Sequence, residues 1–135
     1  MAHRRWRWLL CAALACSLCL PVSASPSLED AQDHGMDLSL AWAKEEGILL
    51  GTGPDQLTPN GEATRAMAVT VLHRYAGTPQ ANSSHPFSDV PAEAYYADAV
   101  AWAVETGLTN GKTAETFCPN DPISRQEFAT LLYRL

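Results

Sequence analysis

The sequence is poor in the residues on which catalysis, metal binding and nucleic-acid binding depend. Nine Lys and Arg stand against fifteen Asp and Glu, so the formal net charge is −6 and gives no bulk attraction to nucleic acid or to an anionic membrane. His34, His73 and His85 are isolated, without the spacing of a metal site. The carboxylates are scattered, and no glycine-rich phosphate loop is present. We therefore expect no enzyme activity, no metal and no cofactor, and we expect His73 to lie on the surface of its helix.

The sequence also has no hydrophobic run long enough to span a membrane. The longest apolar stretch, Trp8 to Leu20, has 13 residues, whereas a spanning helix needs about 20. Arginines precede this stretch, and the small residues Val22-Ser23-Ala24 follow it. This order is typical of a secretory signal peptide, so residues 1–24 are predicted to be removed. The remaining chain is predicted to be secreted, without membrane association.

Cysteine is nearly absent from the predicted mature chain. Three of the four cysteines fall within the first 24 residues and leave with them. Cys118 then has no partner for an intramolecular disulfide and no histidine at a recognisable spacing, so we expect an unreactive loop thiol. The same cleavage removes three of nine basic residues and none of the fifteen acidic ones, which makes the net charge −9.

The sequence does contain a well-marked helix–loop–helix unit at residues 87–135. Ala94 to Thr106 places apolar residues at helical spacing, and Gly107 follows as a natural helix terminator. After a loop, Ser124-Arg125-Gln126-Glu127 forms a capping box, in which a serine hydroxyl and a glutamate each satisfy a backbone N–H. Apolar residues then recur at helical spacing, at Phe128, Leu131, Leu132 and Leu135. The predicted fold class is all-α.

This unit occurs twice. A shift of 60 residues aligns 41–75 with 101–135 without a gap, and twelve of the 35 positions are identical. We call residues 36–77 repeat 1 and residues 87–135 repeat 2. Residues 78–86 are predicted to be a linker and residues 25–35 a flexible lead-in. A repeat of this length indicates stacked supersecondary units that bury their apolar faces together.

Repeat 1 is the poorer copy. Met67 stands where repeat 2 has Glu127, so its capping box is incomplete, at a cost of about 1 kcal/mol. Sixty residues before Phe87-Ser88-Asp89-Val90 there is no copy of that turn motif. The chain also ends within its last predicted helix, which we interpret as the sign of a shortened chain.

The order of these motifs resembles the S-layer homology (SLH) domain family. The matching features are Phe87-Ser88-Asp89-Val90, a tyrosine-rich helix with Trp102, Gly107 and Gly111, Phe117-x-Pro119 and Ile123-Ser124-Arg125-Gln126-Glu127. The resemblance covers the whole of repeat 2 and, more weakly, repeat 1. It implies tandem helix–loop–helix repeats that form part of a pseudo-threefold helical unit. It also implies a groove that holds an anionic, often pyruvylated, cell-wall polysaccharide.

Arg65 and Arg125 are the first candidates for such binding. Each occupies the first helical position after its Thr or Ser cap, where a cation opposes the helix dipole. Free N–H groups beside a guanidinium make an anion site, and the resemblance implies that this arginine contacts the polysaccharide. The residues are equally compatible with an arginine that bridges to a carboxylate of the neighbouring repeat, such as Asp89 or Glu115.

Aromatic residues and glycines supply further candidates. Trp42 and Trp102 lie about 120° from the apolar stripes of their helices, where each either stacks on a sugar ring or packs against the next repeat. Gly51 and Gly111 either let a ligand approach the backbone or simply shape a turn, and the resemblance implies that their loop faces the groove.

Two candidates remain in repeat 2. Asp89 either caps a turn or helix start, or contacts a ligand, and Tyr95 is an additional aromatic candidate. The expected function is non-covalent binding to a secondary cell-wall polysaccharide, which anchors the protein at the cell envelope. The alternatives are a module that completes an SLH unit by self-association or on another SLH protein, and a truncated remnant of a larger surface protein.

Overall fold

The computed structural model describes residues 37–53 and 56–135, and this part of the chain is built from helices and loops. Its four helices are α1 (Asp37–Glu45), α2 (Arg65–Tyr75), α3 (Ala97–Glu105) and α4 (Arg125–Arg134). The all-α class and the helix–loop–helix order of both repeats are therefore confirmed. The predicted signal peptide and lead-in lie outside the described residues.

The second helix of each repeat begins at its predicted cap. The Ser124 hydroxyl accepts the Glu127 N–H at 3.2 Å, and the Glu127 carboxylate accepts the Ser124 N–H at 2.9 Å. This is the predicted capping box. In repeat 1 the Thr64 hydroxyl accepts the Met67 N–H at 3.3 Å. The methionine side chain has no carboxylate to accept the Thr64 N–H in return. The helix α2 therefore begins with half of the cap that α4 has.

The first helix of repeat 2 is shorter than its sequence pattern predicts. It begins at Ala97, because the N–H groups of Ala94 and Ala97 bond to carbonyls three residues back, as in turns. The end of the helix is as predicted, with Gly107 in the left-handed region at φ 74°. Its counterpart in repeat 1, Gly47, has φ 69°.

The core lies where α2 of repeat 1 packs against α3 of repeat 2. The α2 side of this core is formed by Ala68, Val69 and Leu72, and His73 packs beside them on Trp102. The predicted stripe of α3 is confirmed, since Ala99, Val100 and Ala103 are buried in the same core. Phe117 and Leu108 close it from the loop between α3 and α4.

Two predictions about α2 were wrong. His73 is 8 % exposed, since its ring lies 5.2 Å from the Trp102 ring and its Nε2 is 2.9 Å from the Pro79 carbonyl oxygen. A histidine is buried readily when an aromatic ring packs against its own ring and a hydrogen bond satisfies its ring nitrogen. The helical spacing of Ala68, Val71, Leu72 and Tyr75 predicts that all four point inward, but Tyr75 is exposed. The face of α2 that packs against α3 is therefore turned away from Tyr75, toward Val69 and His73.

The outer helices are less covered than the inner pair. Of the described hydrophobic side chains in α1, Ala43 is buried and Trp42 is about half exposed. In α4, Leu131 is buried, whereas Leu132 and Tyr133 face outward. The predicted linker is fastened to α3, because Asn82 donates its backbone and side-chain N–H groups to the Glu105 carboxylate, both at 2.6 Å.

None of the four described helices is long and apolar enough to cross a membrane.

Candidate functional site

The side chain of Arg65 joins the two repeats. It begins α2 in repeat 1, and its Nε donates to the Phe117 carbonyl of repeat 2 at 3.0 Å. Its Nη1 lies 3.2 Å from Glu127 Oε1, and its guanidinium lies over the Phe117 ring, 5.0 Å from the centroid. The arginine is buried by these contacts. The geometry is thus the bridging arrangement, with Glu127 as the carboxylate rather than Asp89 or Glu115.

The amides at the start of α2 are also used within the protein. The Arg65 N–H donates to the Asp121 carbonyl at 2.9 Å, and the Ala66 N–H donates to the Pro119 carbonyl at 3.0 Å. The Ile123 N–H returns a bond to the Ala63 carbonyl at 3.0 Å. The helix N-terminus is therefore occupied by a loop of repeat 2, and an anion near it meets the arginine side chain rather than these amides.

A groove of about 290 Å³ opens beside this junction. Its walls come from both repeats: Arg65, Thr109, Asn110, Gly111, Lys112, Glu127, Thr130, Leu131 and Arg134. Three of these residues are cations and one is an anion, so the groove carries a formal charge of about +2 in an acidic chain. A concave surface of this sign suits an anionic ligand.

The carboxylate of Glu127 organises the cations of the groove. Its Oε1 is 3.2 Å from Arg65 Nη1 and 2.9 Å from Lys112 Nζ. The Ser124 backbone N–H, the Lys112 ammonium and the Ser124 hydroxyl lower the pKa of Glu127 to about 2. It is therefore ionised at neutral pH and fixed by the helix cap, while the Lys112 side chain is 40 % exposed, against 9 % for Arg65.

Arg134 lines the groove from the last turn of α4. Its Nη1 donates to the Leu108 carbonyl at 3.3 Å, and the equivalent Arg74 of repeat 1 reaches the Ile48 carbonyl at 3.5 Å. Sequence reasoning did not select Lys112 or Arg134. The identity of Arg74 and Arg134 across the repeat was a usable signal, whereas Lys112 has Thr52 at its equivalent position and gave none.

The position of Gly111 in the groove wall has no room for a larger residue. Its φ is 78°, and an added Cβ would lie 2.5 Å from the Phe87 ring and 2.7 Å from the carbonyl oxygens of Thr113 and Thr116. Gly51, its counterpart, has φ 85°, and an added Cβ would collide with the Gln56 carbonyl. Both glycines shape turns, and Gly111 also belongs to the groove wall.

Asp89 holds the loop that Arg65 contacts. Its carboxylate accepts the Phe117 N–H at 2.8 Å and the Cys118 N–H at 2.7 Å. Burial opposes ionisation, but these backbone donors outweigh it and keep the pKa of Asp89 below its usual value. The two bonds also fix Cys118 at φ 58°, in the left-handed region. Asp89 thus positions the Phe117 carbonyl for Arg65.

The remaining candidates lie outside the groove. Trp102 is buried against His73, so it packs between the repeats and is not free to stack on a sugar ring. Trp42 is half exposed on α1. Tyr95 is exposed, with its ring edge-on to Tyr96 at 5.0 Å. Arg125 is exposed at the start of α4. Of the predicted site residues, the structure brings together Arg65 and Gly111.

Within residues 37–53 and 56–135, no group of three or more His, Cys, Asp and Glu side chains is placed to hold a metal ion.

Comparison with known proteins matches residues 86–129 to the S-layer homology domain. The Surface-layer 125 kDa protein of Lysinibacillus sphaericus is 32 % identical over 90 % of this chain and 10 % of its own length. An Endoglucanase of Bacillus sp. (strain KSM-635) is 31 % identical over 67 % of this chain and 9 % of its own length. The Cellulosome-anchoring protein of Acetivibrio thermocellus is 32 % identical over 56 % of this chain and 18 % of its own length. No solved structure matches the chain.

The aligned region is a small part of each of these relatives, which include surface proteins and an enzyme. Such a region is typical of proteins anchored at the cell surface. Residues 86–129 of the chain are therefore an S-layer homology domain, and this domain together with the surface-protein relatives indicates a location at the cell surface.

Proposed function

We propose that the groove binds an anionic substituent of a secondary cell-wall polysaccharide and so anchors the protein non-covalently to the cell envelope. The observation that carries the proposal is the convergence of three cations on one groove: Arg65 and Lys112 pair with Glu127, and Arg134 lines the same wall. The chain as a whole is acidic, so this is a local reversal of charge. The role is one of binding, without catalysis.

The three cations have different parts in this mechanism. Arg65 is held on Phe117 and Glu127 and gives the groove a fixed positive wall. Lys112 is held by Glu127 alone at an exposed position, so it turns toward a ligand carboxylate at little cost. Arg134 keeps one bond to the Leu108 carbonyl and has four further N–H donors. A carboxylate such as that of a pyruvyl group meets charge-assisted donors on two sides.

The size of the groove limits the part of the polymer that enters it. At about 290 Å³ it is at the lower end of small-molecule sites, which span roughly 300–1,000 Å³. We expect one substituted sugar unit to occupy it while the rest of the polymer lies over the surface. The relative named as a cellulosome-anchoring protein agrees with an anchoring role.

The test is co-sedimentation of the exported form, residues 25–135, with cell-wall sacculi before and after acid removal of the secondary polymer. The wild type should pellet with intact sacculi and not with stripped ones, and added salt should weaken the binding. Lys112→Gln should weaken it about tenfold or more, since a charge-assisted hydrogen bond is lost. Lys44→Gln, the same change of charge on α1, is the matched control.

Arg125→Ala tests the helix-cap arginine separately from the groove. Retained binding by this variant together with loss in Lys112→Gln would support the groove as the site. Equal pelleting of all variants, or pelleting with stripped sacculi, would contradict the proposal.

A further inference from the structure

The two outer helices, α1 and α4, are copies of the two inner helices, α3 and α2, which pack against each other. Each outer helix exposes part of the face that its copy buries in that contact. The 60-residue repeat makes α1 the equivalent of α3 and α4 the equivalent of α2. Within the chain, α2 packs against α3, and this contact is the core of the protein. Within the described residues, α4 and α1 make no packing contact of comparable extent, because these helices lie at opposite ends of the repeat order.

Part of the α4 face that corresponds to the buried face of α2 is exposed. The core residues Ala68, Val69 and Leu72 of α2 correspond to Phe128, Ala129 and Leu132. Phe128 is partly buried against the core, whereas Ala129 and Leu132 are exposed. Leu72 is 3 % exposed and Leu132, the same residue at the same helix position, is 51 % exposed. Tyr133, at the position of His73, is 91 % exposed. The face thus keeps apolar residues without the helix that covers them in α2.

The exposed face of α1 is the matching half. Trp102 of α3 packs on His73, whereas its copy Trp42 is 52 % exposed. A Trp42 placed against Tyr133 would reproduce the Trp102–His73 contact with an aromatic pair. Aromatic rings at such an interface contribute both buried area and favourable ring geometry.

Backbone groups at the two ends are complementary as well. The Arg65 and Ala66 N–H groups of α2 donate to the Asp121 and Pro119 carbonyls. The equivalent donors are the Arg125 and Gln126 N–H groups, and the equivalent acceptors are the Gly61 and Pro59 carbonyls. Among the described residues, none of these four groups takes part in a hydrogen bond.

The receiving loop also keeps the backbone shape that its copy has in the observed contact. Thr58, at φ 51°, repeats the left-handed conformation of Cys118 at φ 58°. The segments 58–60 and 118–120 share the Pro-Asn pair that follows this residue.

We propose that a second copy of this chain docks head to tail, with α4 of one copy against α1 and the 57–61 loop of the next. The contact repeats the observed α2–α3 junction between molecules. It differs around the arginine, because Met67 replaces the glutamate that pairs with Arg65 and Leu57 replaces Phe117, so Arg125 finds neither a carboxylate nor a ring there. The contact is heterologous, so an open assembly keeps one unpaired face at each end unless a ring closes.

The test measures mass against concentration by light scattering and sedimentation, from roughly 10 µM to 1 mM. The wild-type exported chain should rise from monomer to dimer or larger. Added salt should promote this, because the copies carry the same net charge. Leu132→Asp and Tyr133→Asp should each remain monomeric at every concentration. Tyr95→Asp is the matched control for Tyr133→Asp, since Tyr95 is 63 % exposed in the turn before α3, outside both faces, and it should associate like the wild type.

A mixing experiment tests the head-to-tail geometry. Leu132→Asp leaves the α1 face intact, and Trp42→Asp leaves the α4 face intact. Each variant alone should be monomeric, whereas an equimolar mixture should form a dimer and nothing larger. Far-UV circular dichroism checks that the variants keep their helices, and Tyr133→Asp, almost fully exposed, serves if Leu132→Asp loses them.

Three outcomes would overturn the proposal. They are a wild type that stays monomeric throughout, a Tyr95→Asp control that also loses association, and a mixture that remains monomeric.

Discussion

At the scale of single residues, Glu127 concentrates more interactions than any other described carboxylate. It completes the cap of α4 through Ser124, pairs with the buried Arg65 of the other repeat, and holds Lys112 at the groove. Helix start, repeat junction and candidate site therefore depend on one side chain. Repeat 1 has Met67 at this position and lacks all three interactions.

Glu127→Gln should destabilise the protein by about 1–3 kcal/mol, because Arg65 stays buried without its counter-charge and the cap is weakened. The folded-state pKa of Glu127, about 2, is below its ordinary value of 4.5. Its contribution to stability is therefore complete above pH 4.5 and is lost as the pH falls toward 2. Urea unfolding between pH 2 and 7 should show this acid loss in the wild type and a flatter profile in the variant.

The control for this prediction is Glu93→Gln, at an exposed position in the turn before α3. It should keep the wild-type profile. Asp89, whose pKa is also lowered, adds an acid-sensitive component that both variants retain. An unchanged acid dependence in Glu127→Gln would show that its carboxylate does not hold the repeat junction.

At the scale of elements, the two copies of the same helix show how environment decides what a sequence position does. The helices α2 and α4 share their cap type, first-turn arginine and Leu72/Leu132 position. One helix is covered by α3, and the other has no covering helix within the described residues. The apolar pattern is therefore a core in one copy and a surface in the other.

Leu72→Ala should cost about 2–5 kcal/mol, since it leaves a cavity between α2 and α3. Leu132→Ala should change the stability of the monomer by less than about 0.5 kcal/mol, because its side chain is already half in water. Urea unfolding at low protein concentration measures both. Similar costs for the two substitutions would mean that α4 is packed in solution as tightly as α2.

At the scale of the whole molecule, stability is unevenly distributed. The α2–α3 pair, with the turn at Phe87 and Val90 and the loop around Phe117, contains nearly all of the buried apolar residues of the described chain. Helix α1 has nine residues, too few for independent stability. Among its described side chains, Ala43 is the one that is buried. The protein is thus one core built between two repeats, with an outer helix on each side.

Hydrogen exchange should resolve this difference. Amides of residues 40–45 should exchange with protection close to that of an unfolded chain, because α1 opens without disturbing the core. The amides of Val69 and Val100 should exchange through global unfolding. Equal protection of α1 and α2 in a monomeric sample would contradict this picture.

The sequence by itself determined the local structure, because caps, glycine stops and helical spacing depend on neighbouring residues. Ser124 with Glu127, Gly107 and the 60-residue repeat led to the helices, the all-α class and the SLH family. Only the tertiary structure decided which side chains meet across the repeats. Trp102, which covers His73, lies 29 positions after it in the sequence. Glu127 lies 62 positions after Arg65, and Arg134 lies 22 positions after Lys112 across the groove. Periodicity carries no information about such pairs, since it specifies a face of a helix but not the partner that covers it.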